Sequence, residues 1–118
     1  MQIETRLSDA LGRYLDLAVG ETKLTAANMA NIDTPGYRTQ GFDFEAEIHK
    51  ALGPPDSQIP ESVHVQDVDG LISRPDGNNV SMDREGLHMA EAQLKFRTGV
   101  ALMRLENQRV MDAIHTDK

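Results

Sequence analysis

Residues 26–38 read Ala26-Ala27-Asn28-Met29-Ala30-Asn31-Ile32-Asp33-Thr34-Pro35-Gly36-Tyr37-Arg38. Asn28 and Asn31 lie three apart, on one face of a helix nearing its end. Asn forms helices weakly and ends them well. Thr34 precedes a proline and is pushed out of the α region. Pro35 and Gly36 suit the two central positions of a type II turn, the second of which needs positive φ. The stretch therefore predicts a helix that stops and turns sharply.

Working back towards residue 1, Ile3, Leu7, Leu11, Leu15 and Ala18 recur at steps of four or three, flanked by Ala10, Tyr14, Leu17 and Leu24. That is the period of an amphipathic helix over residues 1–32. Working forward, proline occurs only between Pro35 and Pro75, so both flanks are free of helix breakers. A second helix is expected over 82–116, starting near Ser81–Asp83. Leu87, Ala90, Leu94, Ala101 and Leu105 form one of its apolar stripes; Met89, Phe96, Val100, Met103, Val110 and Ile114 form another. Leu7, Leu11, Tyr14, Leu17 and Leu24 are expected to pack against Leu94, Phe96, Val100, Met103 and Val110. Gly12, Gly20, Gly86 and Gly99 interrupt the two helices, each at about 1 kcal/mol relative to alanine. Either they let helices approach closely or they keep the free chain pliable.

Residues 33–81 read as the turn, a short helix or turn-like segment around Phe42, Phe44, Ile48 and Leu52, and an acidic, irregular, Pro/Gly-rich stretch. Turn pairs recur there at Asp69-Gly70, Pro75-Asp76 and Asp76-Gly77. Val63 and Val65 alternate with polar residues and leave room for a short β-hairpin. The expected fold is mainly α: two long terminal helices paired as a coiled-coil-like hairpin, with residues 1–118 as a single domain.

The chain has eleven Leu and six Met but only three Phe, two Tyr and no Trp, which suits helix packing better than a pocketed core. Cysteine is absent, which removes disulfides and thiolate metal sites. No apolar run approaches the ~20 residues of a membrane span, and the N-terminus shows no cleavable signal pattern. Net charge is −7, which argues against nucleic acid as a partner. Residues 32–81 hold nine acids and three bases, so −6 of that charge lies in the middle and the flanks are nearly neutral.

Catalytic signatures are missing: no P-loop, no Gly-x-Gly-x-x-Gly, no nucleophile elbow. His49, His64, His88 and His115 are scattered, and Asp67-Val68-Asp69-Gly70 is only a fragment of a calcium loop. The expectation is a non-enzyme with no cofactor, metal or small-molecule substrate.

The order Ala-Asn-Met-Ala-Asn-Ile-Asp-Thr-Pro-Gly-Tyr-Arg over 27–38 resembles the N-terminal signature of bacterial flagellar basal-body rod proteins. Distal rod and hook relatives usually carry Thr-Thr-Gly-Phe where this chain has Thr34-Pro35-Gly36-Tyr37, which points to the proximal rod and its FlgB type. Residues 76–97, from Asp76-Gly77-Asn78-Asn79-Val80 to Leu94-Lys95-Phe96-Arg97, are similar to that family's entry into its C-terminal helix. Residues 53–75 carry no family signature, and the chain has no room for the large β-domain of distal subunits.

The resemblance implies a structural subunit of the drive shaft, exported through the flagellar type III channel without a cleaved signal and folding on assembly. It would reside in the basal-body rod, on the periplasmic side of the inner membrane. Its implied partners are other rod proteins, the membrane ring and rod adaptor protein, the export apparatus and further copies of itself. Asn28, Asn31, Thr34, Pro35, Gly36, Tyr37 and Arg38 would form the assembly motif. There the asparagines bond carbonyls or a neighbouring chain, Tyr37 buries its ring with its hydroxyl bonded, and Arg38 pairs with an acid such as Asp43. The amphipathic flanks also suit a cytoplasmic helical adaptor or export chaperone, which would be a stable soluble dimer.

Overall fold

The structure, a computed structural model, describes residues 6–54 and 62–116. The expectations at Ile3 and at the prolines between 55 and 61 lie outside the described residues. Helix α1 spans Arg6–Ala30, strand β1 Gln40–Gly41, helix α2 Phe44–Ala51, strand β2 Gln66–Asp67 and helix α3 Met82–His115. The two long helices, of 25 and 34 residues, run antiparallel and form the main packing of a body 69 × 28 × 20 Å. Among the described residues, no helix is long and apolar enough to cross a membrane.

The local reasons for these elements are visible in the caps. Asp43 caps α2 by accepting from the amide of Ala46 at 3.0 Å, and Ser81 caps α3 by accepting from that of Arg84. Asp83 and Glu85 then place acids in the positive first turn of α3. At its far end α1 stops at Ala30, and the amide of Asn31 is shared between the carbonyls of Ala27 and Asn28.

The face of α3 turned to α1 repeats every seven residues: Glu85, Ala92, Gly99 and Glu106 are all buried. On α1, Leu11, Leu17 and Ala18 are buried. Small residues set the spacing. A Cβ on Gly99 would stand 2.7 Å from Leu15 Cδ2 and 3.0 Å from Tyr14 Cδ1, so this glycine permits the close approach. Gly12 and Gly86 have open space around them.

This geometry corrects one expectation. Leu7, Leu94 and Phe96 do not pack between the helices; they are 50 %, 66 % and 41 % exposed. The whole Leu87, Ala90, Leu94, Ala101 and Leu105 stripe faces outward. Leu94 sits two residues from Ala92, about 200° around the helix. The stripe therefore lies on the back of α3 rather than at the seam.

Helix α2 lies across α1 through an aromatic cluster. Tyr14 meets Phe44 edge-on at 5.3 Å, and Phe42 stacks on Phe44 at 6.3 Å. Lys95 of α3 places its ammonium 4.0 Å over the Phe44 ring while pairing with Glu21 at 3.0 Å. Glu47, buried on α2, lies 3.2 Å from Lys50 and 3.9 Å from Arg13. The irregular middle supplies the small antiparallel pair, with Gln40 opposite Asp67 and Gly41 opposite Gln66. Its second strand follows the Val63–Val65 alternation directly.

Candidate functional site

The two sequence motifs, far apart in the chain, meet at one end of the helix pair. Asn28 is the hub. Its amide donates to the carbonyl of Gln40 at 2.8 Å and to Glu85 Oε2 at 3.1 Å. Its Oδ1 accepts from the Tyr37 hydroxyl at 3.0 Å and from the amide of Gln40 at 3.1 Å. Both donors and the acceptor of this side chain are thus engaged, as a buried amide requires.

Asn31 acts locally: it donates to the carbonyl of Ala27 at 2.8 Å and accepts from Thr34 Oγ1 at 3.0 Å. Thr34 to Tyr37 closes a turn, with the Tyr37 amide donating to the Thr34 carbonyl at 3.2 Å and Gly36 at φ 75°. The opposing segment mirrors it. Pro75-Asp76-Gly77 forms a three-residue loop in which Gly77 adopts φ 85°. The Gly36 amide donates to the Asp76 carbonyl at 2.8 Å, and a Cβ on Gly77 would lie 3.4 Å from Gly36 Cα. The two turns press together through glycine.

Asn78 and Asn79, whose roles are not evident from the sequence, lock this contact. Asn78 is fully buried and donates to the carbonyls of Asn31 and Thr34 at 2.8 and 2.9 Å, just past the end of α1. Its Oδ1 accepts from the Val80 amide at 2.8 Å. Asn79 accepts from the buried Thr39 amide at 2.6 Å. The signal for both was the Asp-Gly-Asn-Asn string, which fits a turn whose side chains satisfy nearby backbone.

Glu85 is 1 % exposed and held by Asn28 on one oxygen and Arg84 on the other. Burial, and secondarily the Glu85 carboxylate, push the Tyr37 phenol above its ordinary value. Arg38 does not pair with Asp43; it donates to Ser73 Oγ at 2.9 Å, on the segment that precedes α3.

No protein-family model matches the chain. It is 30 % identical to the flagellar basal body rod protein FlgB of Salmonella typhimurium (strain LT2) over 119 aligned positions, covering 85 % of this chain and 86 % of that protein. The chain belongs to the FlgB family of flagellar basal-body rod proteins. FlgB of Cereibacter sphaeroides is 32 % identical across 93 % of this chain and 97 % of its own length. FlgB of Escherichia coli K12 is 26 % identical across 86 % and 88 %.

Away from the junction, the packing residues divide. Leu11 and Leu17 are buried; Tyr14, Leu24, Val100, Met103 and Val110 are half-buried. His88 is less isolated than its spacing suggested. Its Nδ1 lies 3.8 Å from Glu21 and 3.6 Å from Glu91, where the three could hold a metal ion. Glu21 is also held there by Lys95, a competing cation.

Proposed function

We propose that this chain is a structural subunit of the proximal rod, exported through the flagellar type III channel, folding as it assembles and passing motor torque outward. The observation that carries this reading is the outward stripe of α3. Leu87, Leu94 and Leu105 are each at least 60 % exposed. A helix with apolar residues on two opposed faces is half-finished as a monomer, and the second face needs a neighbour.

The junction supplies the complementary property. Asn28, Asn31, Thr34, Pro35, Gly36 and Tyr37 fix the angle between the chain leaving α1 and the chain entering α3. A neighbour on the back of α3 would therefore meet a rigid subunit end. The apolar core of the single chain is small, so the free chain is marginal and burial in the rod adds the missing stabilisation. The partners in this reading are other rod proteins, the membrane ring and rod adaptor, the export apparatus and further copies.

An export assay tests the proposal against the adaptor or chaperone reading. With a tagged chain in cells able to export but unable to complete the rod, the rod reading predicts its appearance outside the cytoplasm. Retention in the cytoplasm as a stable dimer would overturn it.

A further inference from the structure

Between α1 and α3, away from the junction, runs a groove of about 530 Å³ lined by Val19, Thr22, Lys23, Gln93, Phe96 and Arg97. Val19 and Phe96 form an exposed apolar floor. Lys23 and Arg97 are its only charged lining residues, and neither has an ion-pair partner among the described residues. Asp16, seven residues before Lys23 on the same face of α1, lies about 10 Å along the helix. In a chain of net charge −7, two uncompensated cations over an apolar floor select an occupant that is both acidic and apolar.

The chain carries such an element in Asp69-Gly70-Leu71-Ile72. Gly70 turns the backbone at φ 81°. Ile72 is 91 % exposed, the most of any large apolar side chain among the described residues. Asp69 is exposed and has neither a hydrogen bond nor an ion pair there. This tip borders Val80, Ser81 and Arg84 at the start of α3. The groove lies about a dozen residues further along that helix, roughly 18 Å away. With the junction closed, the tip cannot enter its own groove.

Resting on the rod-subunit reading, we propose that the Asp69–Ile72 tip of one copy seats in the α1–α3 groove of the next. Ile72 lies on Val19 and Phe96, and Asp69 sits between Lys23 and Arg97. Donor and acceptor surfaces differ, so the contact is head-to-tail and propagates instead of closing a pair.

The chain has no cysteine, so introduced pairs report cleanly. Hook–basal bodies from cells expressing Asp69→Cys with Arg97→Cys in one chain, oxidised and run without reductant, give a ladder of dimers and larger species. Each single variant gives none, and adding Ile72→Ser removes the ladder. If the chain is present in basal bodies but neither Arg97→Cys nor Lys23→Cys cross-links to Asp69→Cys, the contact is overturned and the rod reading stands. Dimers from Arg97→Cys alone mean groove meets groove, which also overturns it. Absence of the unaltered chain from basal bodies removes both readings. Swimming provides a second readout that needs no cross-link: Asp69→Lys, or Lys23→Glu with Arg97→Glu, shrinks the swimming zone, and all three together restore it. Full swimming by both partial variants contradicts the contact.

Discussion

Asn28 on α1 and Glu85 on α3 are joined by a 3.1 Å hydrogen bond across 57 positions of sequence, each residue 1 % exposed. This bond ties the end of one long helix to the beginning of the other. Asn28→Ala deletes it together with the bonds to Gln40 and Tyr37, and leaves Glu85 a buried carboxylate short of a donor. The expected loss is about 2–4 kcal/mol, read as a lower urea midpoint by far-ultraviolet circular dichroism. Asn28→Asp sets a second carboxylate against Glu85 and costs more than alanine. An aspartate variant as stable as the native chain would contradict the hub.

Gly36 holds φ 75° where the two turns touch. A β-branched side chain there costs about 1–2 kcal/mol in backbone strain alone. Gly36→Val is expected to block rod assembly more than export, seen as secreted chain in non-motile cells. Normal motility would show that the turn geometry is dispensable.

The helix glycines separate by what surrounds them. Gly86→Ala meets open space and is expected to raise stability by up to about 1 kcal/mol. Gly99→Ala drives a methyl into Leu15 and Tyr14, and Tyr14 is already fixed against Phe44. It is expected to fall below the native chain in the same urea titration. Equal gains for both would mean that the helices do not approach closely at Gly99.

Tyr37 supplies a pH signature. Its phenol ionises at higher pH in the folded chain than its ordinary value of 10.0, so the unfolded chain releases this proton first. The stabilisation is complete below pH 10 and is lost as pH rises through the folded value. Tyr37→Phe is expected to cost about 1 kcal/mol at neutral pH through the lost bond to Asn28. It should also flatten the alkaline fall in stability. An unchanged alkaline slope would exclude Tyr37 as its source.

The fold was legible in the sequence because its signals were local: the leucine period of α1, Ser81 before α3, and Pro35-Gly36 at the turn. Which face of α3 meets α1 was not. Apolar periodicity nominated Leu94, Phe96, Val100, Met103 and Val110; Leu94 and Phe96 are exposed, the other three are half-buried, and Ala92 and Gly99 are the buried positions because small residues let the helix axes come close. The usual inference from an apolar stripe to an interior assumes that a chain buries everything against itself, and α3 carries two such faces. The junction was half legible. Asn28 and Tyr37 stood out, but their bonds to Glu85 and Asn79, and those of Asn78 to Asn31 and Thr34, depend on long-range docking that no local pattern encodes.

Quantitative mass spectrometry of purified hook–basal bodies from the encoding bacterium decides whether this chain is built into the rod. The account predicts the chain in a small fixed number of copies beside other rod proteins. Its absence there, with abundance in the cytosol, would contradict the account.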